Sequence, residues 1–75
     1  MVEETFESYT IAAAPVRTAR GRWSVSTVIK KMCGGEMKEE TFYADDRIEY
    51  ILEVEAAKEC INLGKNLIKL NRVGF

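Results

Sequence analysis

The chain has 75 residues, of which 47% are hydrophobic and 31% are charged, and its formal net charge is -1. A chain this short buries only about 60% of the surface that its unfolded form exposes, so residues 1–75 are predicted to form a single domain. The apolar fraction excludes a disordered chain, and the scattered charges exclude a membrane-spanning helix of about 20 apolar residues. The near-zero net charge argues against a strong non-specific binder of nucleic acid, which carries a basic surface.

The first residues and the cysteines bear on location and on cofactors. Residues 1–5 are acidic and lack the basic and apolar regions of a secretory signal, so we expect a cytoplasmic protein. Cys33 and Cys60 are too few to cross-link a small secreted domain. Because the chain has no histidine, two thiols alone cannot form the usual zinc sites. We therefore expect no metal and no cofactor.

The N-terminal part predicts one strand followed by a polar connection. Residues 6–14 contain β-favouring side chains, and Pro15 then removes a hydrogen-bond donor and ends the strand. The three alanines at 12–14 leave a short helix as the alternative. Residues 17–22 have the composition of a polar connection, with Gly21 as its turn residue.

The middle of the chain predicts a β-hairpin. Residues 23–32 alternate between two sides, which is typical of a half-buried strand. One side carries Trp23, Val25, Thr27 and Ile29, and the other carries Ser24, Ser26, Val28 and Lys30. Gly34 and Gly35 tolerate positive φ angles, so the chain is expected to reverse there into a third strand over residues 37–44.

The C-terminal part predicts a helix whose start is open between two positions. Asp45 and Asp46 supply capping carboxylates, but residues 48–52 favour β structure, which allows the helix to begin only near Glu53. From residue 54 onward, apolar residues recur with a helical period and form one arc: Val54, Ala57, Cys60, Ile61, Gly64, Leu67 and Ile68. Asn71 is the predicted left-handed residue that ends the helix.

These elements predict an α+β fold in which a three-stranded antiparallel sheet packs against one C-terminal helix. The apolar arc of the helix must cover one face of the sheet, and the cover of the outer face is left open. A glycine inside a helix costs up to about 1 kcal/mol relative to alanine. We therefore interpret Gly64 as a site where the helix approaches the sheet closely.

Side chains that could support catalysis have simpler structural explanations. The acidic residues around the helix start are Asp45, Asp46, Glu49, Glu53 and Glu55. They lack the spacing and the glycine of a calcium loop, so we interpret them as capping and dipole residues. Cys33 lies in an exposed turn, but no histidine is present to activate its thiol. Cys60 falls within the apolar arc as a core residue. We expect no catalytic residue.

An arginine loop with an adjacent aromatic residue is the first candidate binding surface. It consists of Arg17, Arg20, Arg22 and Trp23. Arginines can hold phosphate, and an aromatic ring can stack on a base. Scattered positive charge at a hairpin edge can also serve to keep sheets from pairing with their neighbours.

A row of apolar residues beside the core arc of the helix is the second candidate. This helix flank consists of Leu52, Ala56, Leu63 and Leu70. It widens the apolar surface of the helix to roughly 200°, more than one sheet face requires. The flank is either covered, by a curved sheet or by the tail residues Val73 and Phe75, or exposed as a contact for another protein.

Short sequence patterns give the chain a resemblance to known folds. They are Gly21-Arg22-Trp23, Thr41-Phe42-Tyr43-Ala44, Glu55-Ala56-Ala57 and Leu63-Gly64-Lys65. In this order they resemble small uncharacterised bacterial domains of the β-β-β-α type, a resemblance that implies a fold alone. The topology is also similar to the sheet and second helix of double-stranded-RNA-binding domains. Those domains hold phosphate with lysines where this chain has Glu53 and Glu55, so no functional residue is carried over.

The sequence thus leads to two functional hypotheses of different kinds. The first is a non-enzymatic binding or protein-interaction domain, whose partner is an unidentified protein or a second copy of the chain in a homodimer. The alternative is a nucleic-acid-binding module that uses the arginine loop. Salt-sensitive binding that disappears when the three arginines are replaced would identify the alternative.

Overall fold

The computed structural model describes residues 2–45 and 47–75 as seven strands and one helix. The elements in chain order are β1 Glu3–Phe6, β2 Tyr9–Ala13, β3 Val16–Arg17, β4 Trp23–Ser24, β5 Ser26–Cys33, β6 Glu36–Tyr43, β7 Glu49–Tyr50 and α1 Glu53–Lys69. One sheet has the order β1-β2-β5-β6 and a smaller one the order β3-β4-β7, with antiparallel neighbours throughout. The predicted α+β class with one C-terminal helix is confirmed. The predicted single three-stranded sheet is wrong.

The predicted first strand is in fact a hairpin. It reverses at Glu7 and Ser8, whose φ angles are 48° and 73°, and Phe6 then pairs with Tyr9. Two consecutive positive φ angles make the tight turn whose twist suits a two-residue hairpin. This turn contains no glycine, asparagine or aspartate, so the usual sequence signal is missing. The alternative of a short helix at residues 12–14 is wrong, because Ala12 and Ala13 belong to β2.

The two sheets share one long, bent hairpin. The pairing of β3 with β4 keeps the register in which β2 pairs with β5. Across the bend, the Ala14 N–H donates to the Ser26 carbonyl (3.1 Å), and the Ser26 hydroxyl donates to the Ala14 carbonyl. Pro15 interrupts one side of the hairpin and Val25 the other, so the predicted strand 23–32 is divided at Val25. Beyond the bend, β7 replaces β6 as the outer neighbour.

Helix α1 begins at Glu53, which confirms the later of the two predicted starts. Its N-cap is Leu52, without a side-chain cap, and Asp45 instead accepts a hydrogen bond from the Arg47 backbone N–H (2.9 Å). The capping role of Asp45 is therefore wrong, and Asp46 lies outside the described residues. Asn71 ends the helix with φ 58°, as predicted. Among the described residues, no helix is long and apolar enough to cross a membrane.

The core lies between α1 and the inner faces of both sheets. Its buried residues are Ile11, Ala13, Val25, Ala56, Ala57, Cys60 and Ile61, with Trp23, Tyr50 and Leu63 packed against them. The predicted arc is confirmed for Ala57, Cys60 and Ile61, which are buried. Val54 is 59% exposed, because it lies in the first turn at the edge of the arc that the sheet covers.

Gly64 is the point of closest approach between the helix and the sheet. A β-carbon added at Gly64 would lie 2.5 Å from Cγ2 of Ile11, which belongs to β2. Real β-carbons essentially never come that close to another heavy atom. The interpretation of Gly64 as a close-packing site is confirmed.

The β5–β6 hairpin turns at Gly34 and Gly35, with φ angles of 57° and 86°, as the sequence predicted. Strand β6 forms an outer edge of the larger sheet, and all its residues except Phe42 are exposed. Among the described residues, α1 is the one helix, and it lies on the inner face. The outer face therefore has no helical cover within residues 2–45 and 47–75.

Candidate functional site

The arginine loop is a compact connection between β3 and β4. The Thr18 N–H donates to the Arg22 carbonyl (2.7 Å), and the Gly21 N–H donates to the Thr18 carbonyl (3.0 Å). The hydroxyl of Thr18 also accepts from the Arg22 N–H (3.2 Å). Gly21 has φ 76°, a conformation that favours glycine. Three hydrogen bonds within the loop therefore fix its backbone.

Three of the four predicted binding residues of this loop are engaged within the protein. The guanidinium of Arg17 lies 5.7 Å from the centre of the Trp23 ring, in cation–π contact. Trp23 is half-buried and packs against the core. Nη2 of Arg20 lies 2.9 Å from Oε1 of Glu49, whose side chain is almost buried. Arg22 is exposed. A phosphate at Arg20 would compete with Glu49, and a base that stacks on Trp23 would compete with the Arg17 guanidinium or with the core.

The helix flank divides into exposed and buried members. Leu52 is 55% exposed and Leu70 is 67% exposed, and they lie at the two ends of α1. Leu63 is half-buried. Ala56 is fully buried, so its assignment to an exposed interface is wrong. Strands β4 and β7 of the unpredicted second sheet also contact α1, so the helix is covered by more than the single sheet that the sequence predicted.

A groove of about 180 Å³ runs beside Leu63, between α1 and the segment that leads into β7. Its lining comprises Val25, Ala44, Ile48, Tyr50, Glu59, Asn62, Leu63 and Asn66. Ile48 is half-exposed at the groove, and Ile51, just before the helix, is exposed. The sequence analysis interpreted residues 48–52 as strand formers and did not predict that Ile48 and Ile51 add exposed apolar surface at the groove and beside the helix start. The signal was available as a run of large apolar residues directly before the helix.

The C-terminal tail does not cover the ends of the flank. The Tyr9 hydroxyl donates to the carbonyl of Phe75 (2.7 Å), and the two rings lie 6.3 Å apart. Val73 is buried. The tail is thus fixed against β2, while Leu70 stays exposed. The prediction that Val73 and Phe75 cover the flank is wrong for Leu52 and Leu70.

The other candidates for chemistry have structural roles. Both carboxylate oxygens of Asp45 accept hydrogen bonds from the Arg47 guanidinium, which lowers the pKa of Asp45. Burial raises the pKa of the Cys60 thiol. Cys33 is half-buried at the end of β5. Within the part of the chain that the structure describes, no three histidine, cysteine or acidic residues are placed to hold a metal ion.

The two cysteines are expected to differ in reactivity. In native protein at mildly alkaline pH, iodoacetamide should modify Cys33 and leave Cys60 unmodified until the protein unfolds, because the thiolate is the reactive form. The folded Cys60 thiol keeps its proton at a pH where the unfolded thiol ionises. The free energy of unfolding should therefore fall as the pH rises above about 8.5. Mass spectrometry of a Cys33→Ser variant isolates Cys60, and native labelling at the rate of a free peptide would contradict its burial.

Comparison with known proteins adds no relative. No family model, no curated protein and no solved structure matches the chain. The resemblance to small β-β-β-α domains stays a prediction.

Proposed function

We propose that the protein is a non-enzymatic protein-interaction domain whose helix flank contacts another protein. The observation that carries the proposal is the exposure of Leu52 and Leu70 on either side of the groove at Leu63. These three leucines are separated by about three and about two helical turns, so they lie on one side of α1 in a row about 27 Å long.

Burial of this row of leucines against a partner is favourable in free energy. Burying a leucine side chain contributes about 1.5–3 kcal/mol relative to leaving it in water. Leu52 and Leu70 lie at the two ends of α1, on either side of the half-buried Leu63 along the helix, so both would add to a contact centred on the groove. Exposed apolar residues that occur singly are ordinary, but a row beside a groove is typical of an interaction surface.

The rim of the groove indicates the chemistry of the partner. Glu59, Asn62 and Asn66 border the apolar residues along one side. A partner is therefore expected to place an apolar side chain at Leu63 and to direct hydrogen-bond donors or a basic group toward Glu59 and the asparagines. This polar rim and apolar centre match the anatomy of a protein–protein contact.

The test compares two exposed apolar residues at different positions on the helix surface. Leu70→Glu places a charge on the flank, and Val54→Glu places the same charge at an equally exposed site outside it. We expect affinity capture from a lysate of the native source to recover a protein with the wild type and with Val54→Glu. Recovery should fall at least tenfold with Leu70→Glu, because a charge cannot be buried unpaired without a large penalty. Thermal unfolding of all three proteins checks that each is folded.

Nuclease treatment of the lysate separates the interaction proposal from the nucleic-acid alternative. The proposal requires that recovery survives nuclease. Equal recovery with Leu70→Glu and the wild type would show that the flank is not the contact. If nuclease abolishes recovery, nucleic acid mediates the capture. The expected contact is then the arginine loop with Arg17, Arg20 and Arg22.

A further inference from the structure

Among residues 2–45 and 47–75, no strand pairs with the outer edge of β6, and this edge is suited to a second copy of the same chain. Strand β6 is eight residues long, has no proline, and is exposed at every residue except Phe42. Long unpaired edges are templates for strand addition, and proteins usually shorten, bend or charge them to prevent it. The charges on β6 are arranged so that they complement one another when the strand meets its own copy. From this we infer that β6 pairs antiparallel with β6 of a second copy, centred on Glu39.

The turn determines which backbone groups face the free edge. Gly34 and Gly35 form a two-residue turn that Cys33 and Glu36 close. The closing pair of such a turn exchanges both backbone hydrogen bonds, and hydrogen-bonded pairs then alternate with non-bonded pairs along the hairpin. The residues of β6 whose N–H and C=O point outward are therefore Met37, Glu39, Thr41 and Tyr43. A second strand must bring its own outward residues opposite these.

Two registers satisfy this condition over seven residues each. A pairing centred on Glu40 places Glu40 directly opposite Glu40 of the second copy. The two residues form a non-hydrogen-bonded pair, in which the side chains lie close together. A pairing centred on Glu39 sets Lys38 opposite Glu40 of the second copy, and this pair occurs twice. Glu39 then faces its own copy, but Lys30 of β5 lies beside each of them as the cross-strand neighbour. The charges favour the register centred on Glu39.

The present surroundings of Lys38 support the same register. Within its own sheet, Lys38 lies opposite Lys31, a like charge, while Glu40 lies opposite Ile29. Among the ion pairs of residues 2–45 and 47–75, none involves Lys38 or Glu40. Self-pairing would supply both with partners and add about six backbone hydrogen bonds. Because the contact is narrow, we expect a weak dimer with a Kd between about 10 μM and about 1 mM.

Charge variants test the pairing. Their dimerisation is measured by sedimentation equilibrium at protein concentrations from about 10 μM to about 1 mM. Lys38→Glu sets acid against acid in both cross-pairs, and Glu40→Lys sets lysine against lysine. Each variant alone is expected to weaken the dimer at least tenfold. Mixing the two should restore wild-type affinity, because every cross-pair of the mixed dimer joins opposite charges. In the monomer, Lys38→Glu places a carboxylate opposite Lys31, so its thermal stability should be unchanged or higher than that of the wild type.

The outcomes separate this inference from the proposed function of the helix flank. A wild type that remains monomeric at about 1 mM overturns the inference. Single variants that dimerise as well as the wild type, or a mixture that stays monomeric, overturn the register and with it the inference. Leu70→Glu should leave the dimer intact. If Leu70→Glu dissociates the dimer and the charge variants do not, the copies meet through the helix flank instead.

Discussion

Replacing Gly64 by alanine is expected to lower the free energy of unfolding by about 1–3 kcal/mol, a typical cost of overpacking a core. At an exposed helix position, replacing glycine by alanine would stabilise the protein by up to about 1 kcal/mol. The sign reverses here because the added β-carbon would lie 2.5 Å from Cγ2 and 3.3 Å from Cδ1 of Ile11. Either the helix or β2 must move, and both belong to the core. Urea unfolding monitored by Trp23 fluorescence measures the change.

Asn62→Ala provides the control for helix propensity, since Asn62 is exposed on the same helix. It should leave stability unchanged or raise it by a few tenths of a kcal/mol. Ile11→Ala removes the atoms that the new β-carbon would meet, so Gly64→Ala should cost less in that background. A stabilising Gly64→Ala, or additive effects of the two changes, would show that the helix does not approach β2 as closely as described.

Ile29→Ala is expected to cost about 2–5 kcal/mol, the usual range for truncating a buried isoleucine. Ile29 is fully buried in β5, and its cross-strand neighbours are Ile11 and Glu40. A domain of this length has only a few kcal/mol of stability, so a large fraction of the variant should be unfolded at room temperature. Circular dichroism during thermal unfolding would show the loss.

Met32→Ala is the matched control for Ile29, because it shortens an apolar side chain on the same strand. Met32 is 59% exposed and, three residues from Ile29 in the same strand, lies on the opposite face of the sheet. Its replacement should change stability by no more than about 0.5 kcal/mol. Equal effects at the two positions would contradict the burial of Ile29 and the exposure of Met32.

The sequence predicted the β5–β6 turn and most of α1, because residues close together in the chain determine both. Gly34 and Gly35 predicted the β5–β6 hairpin because their positive φ angles are needed for that turn. The helical period predicted most of α1, and Asn71 predicted its end. The β1–β2 hairpin was not predicted, because Glu7 and Ser8 adopt positive φ angles although neither residue type indicates such a turn.

The second sheet could not be predicted from local sequence. Strands β3, β4 and β7 have two residues each, too few to show an alternating pattern. They form because the bent hairpin continues in register and because the segment before α1 returns beside β4. Ala56, which a helical wheel alone places on the open flank, is buried.

The candidate surfaces were predicted in part. The leucines of the helix flank lie on one side of α1, as their spacing indicated, and two of them are exposed. Arg17 and Trp23 contact each other, and Trp23 also packs against the core, so neither is open to a ligand as the sequence suggested. The sequence carries no local sign of the Arg20–Glu49 ion pair, because it depends on β7 returning beside β4.

We propose that the helix flank, and not the arginine loop, contacts a partner. Hydroxyl-radical footprinting of the free protein and of its captured complex tests this claim at the level of side chains. We expect oxidation of Leu52 and Leu70 to fall on binding, while oxidation of Trp23 stays unchanged. Protection of Trp23, with Leu52 and Leu70 oxidised as in the free protein, would contradict the claim and place the contact at the arginine loop.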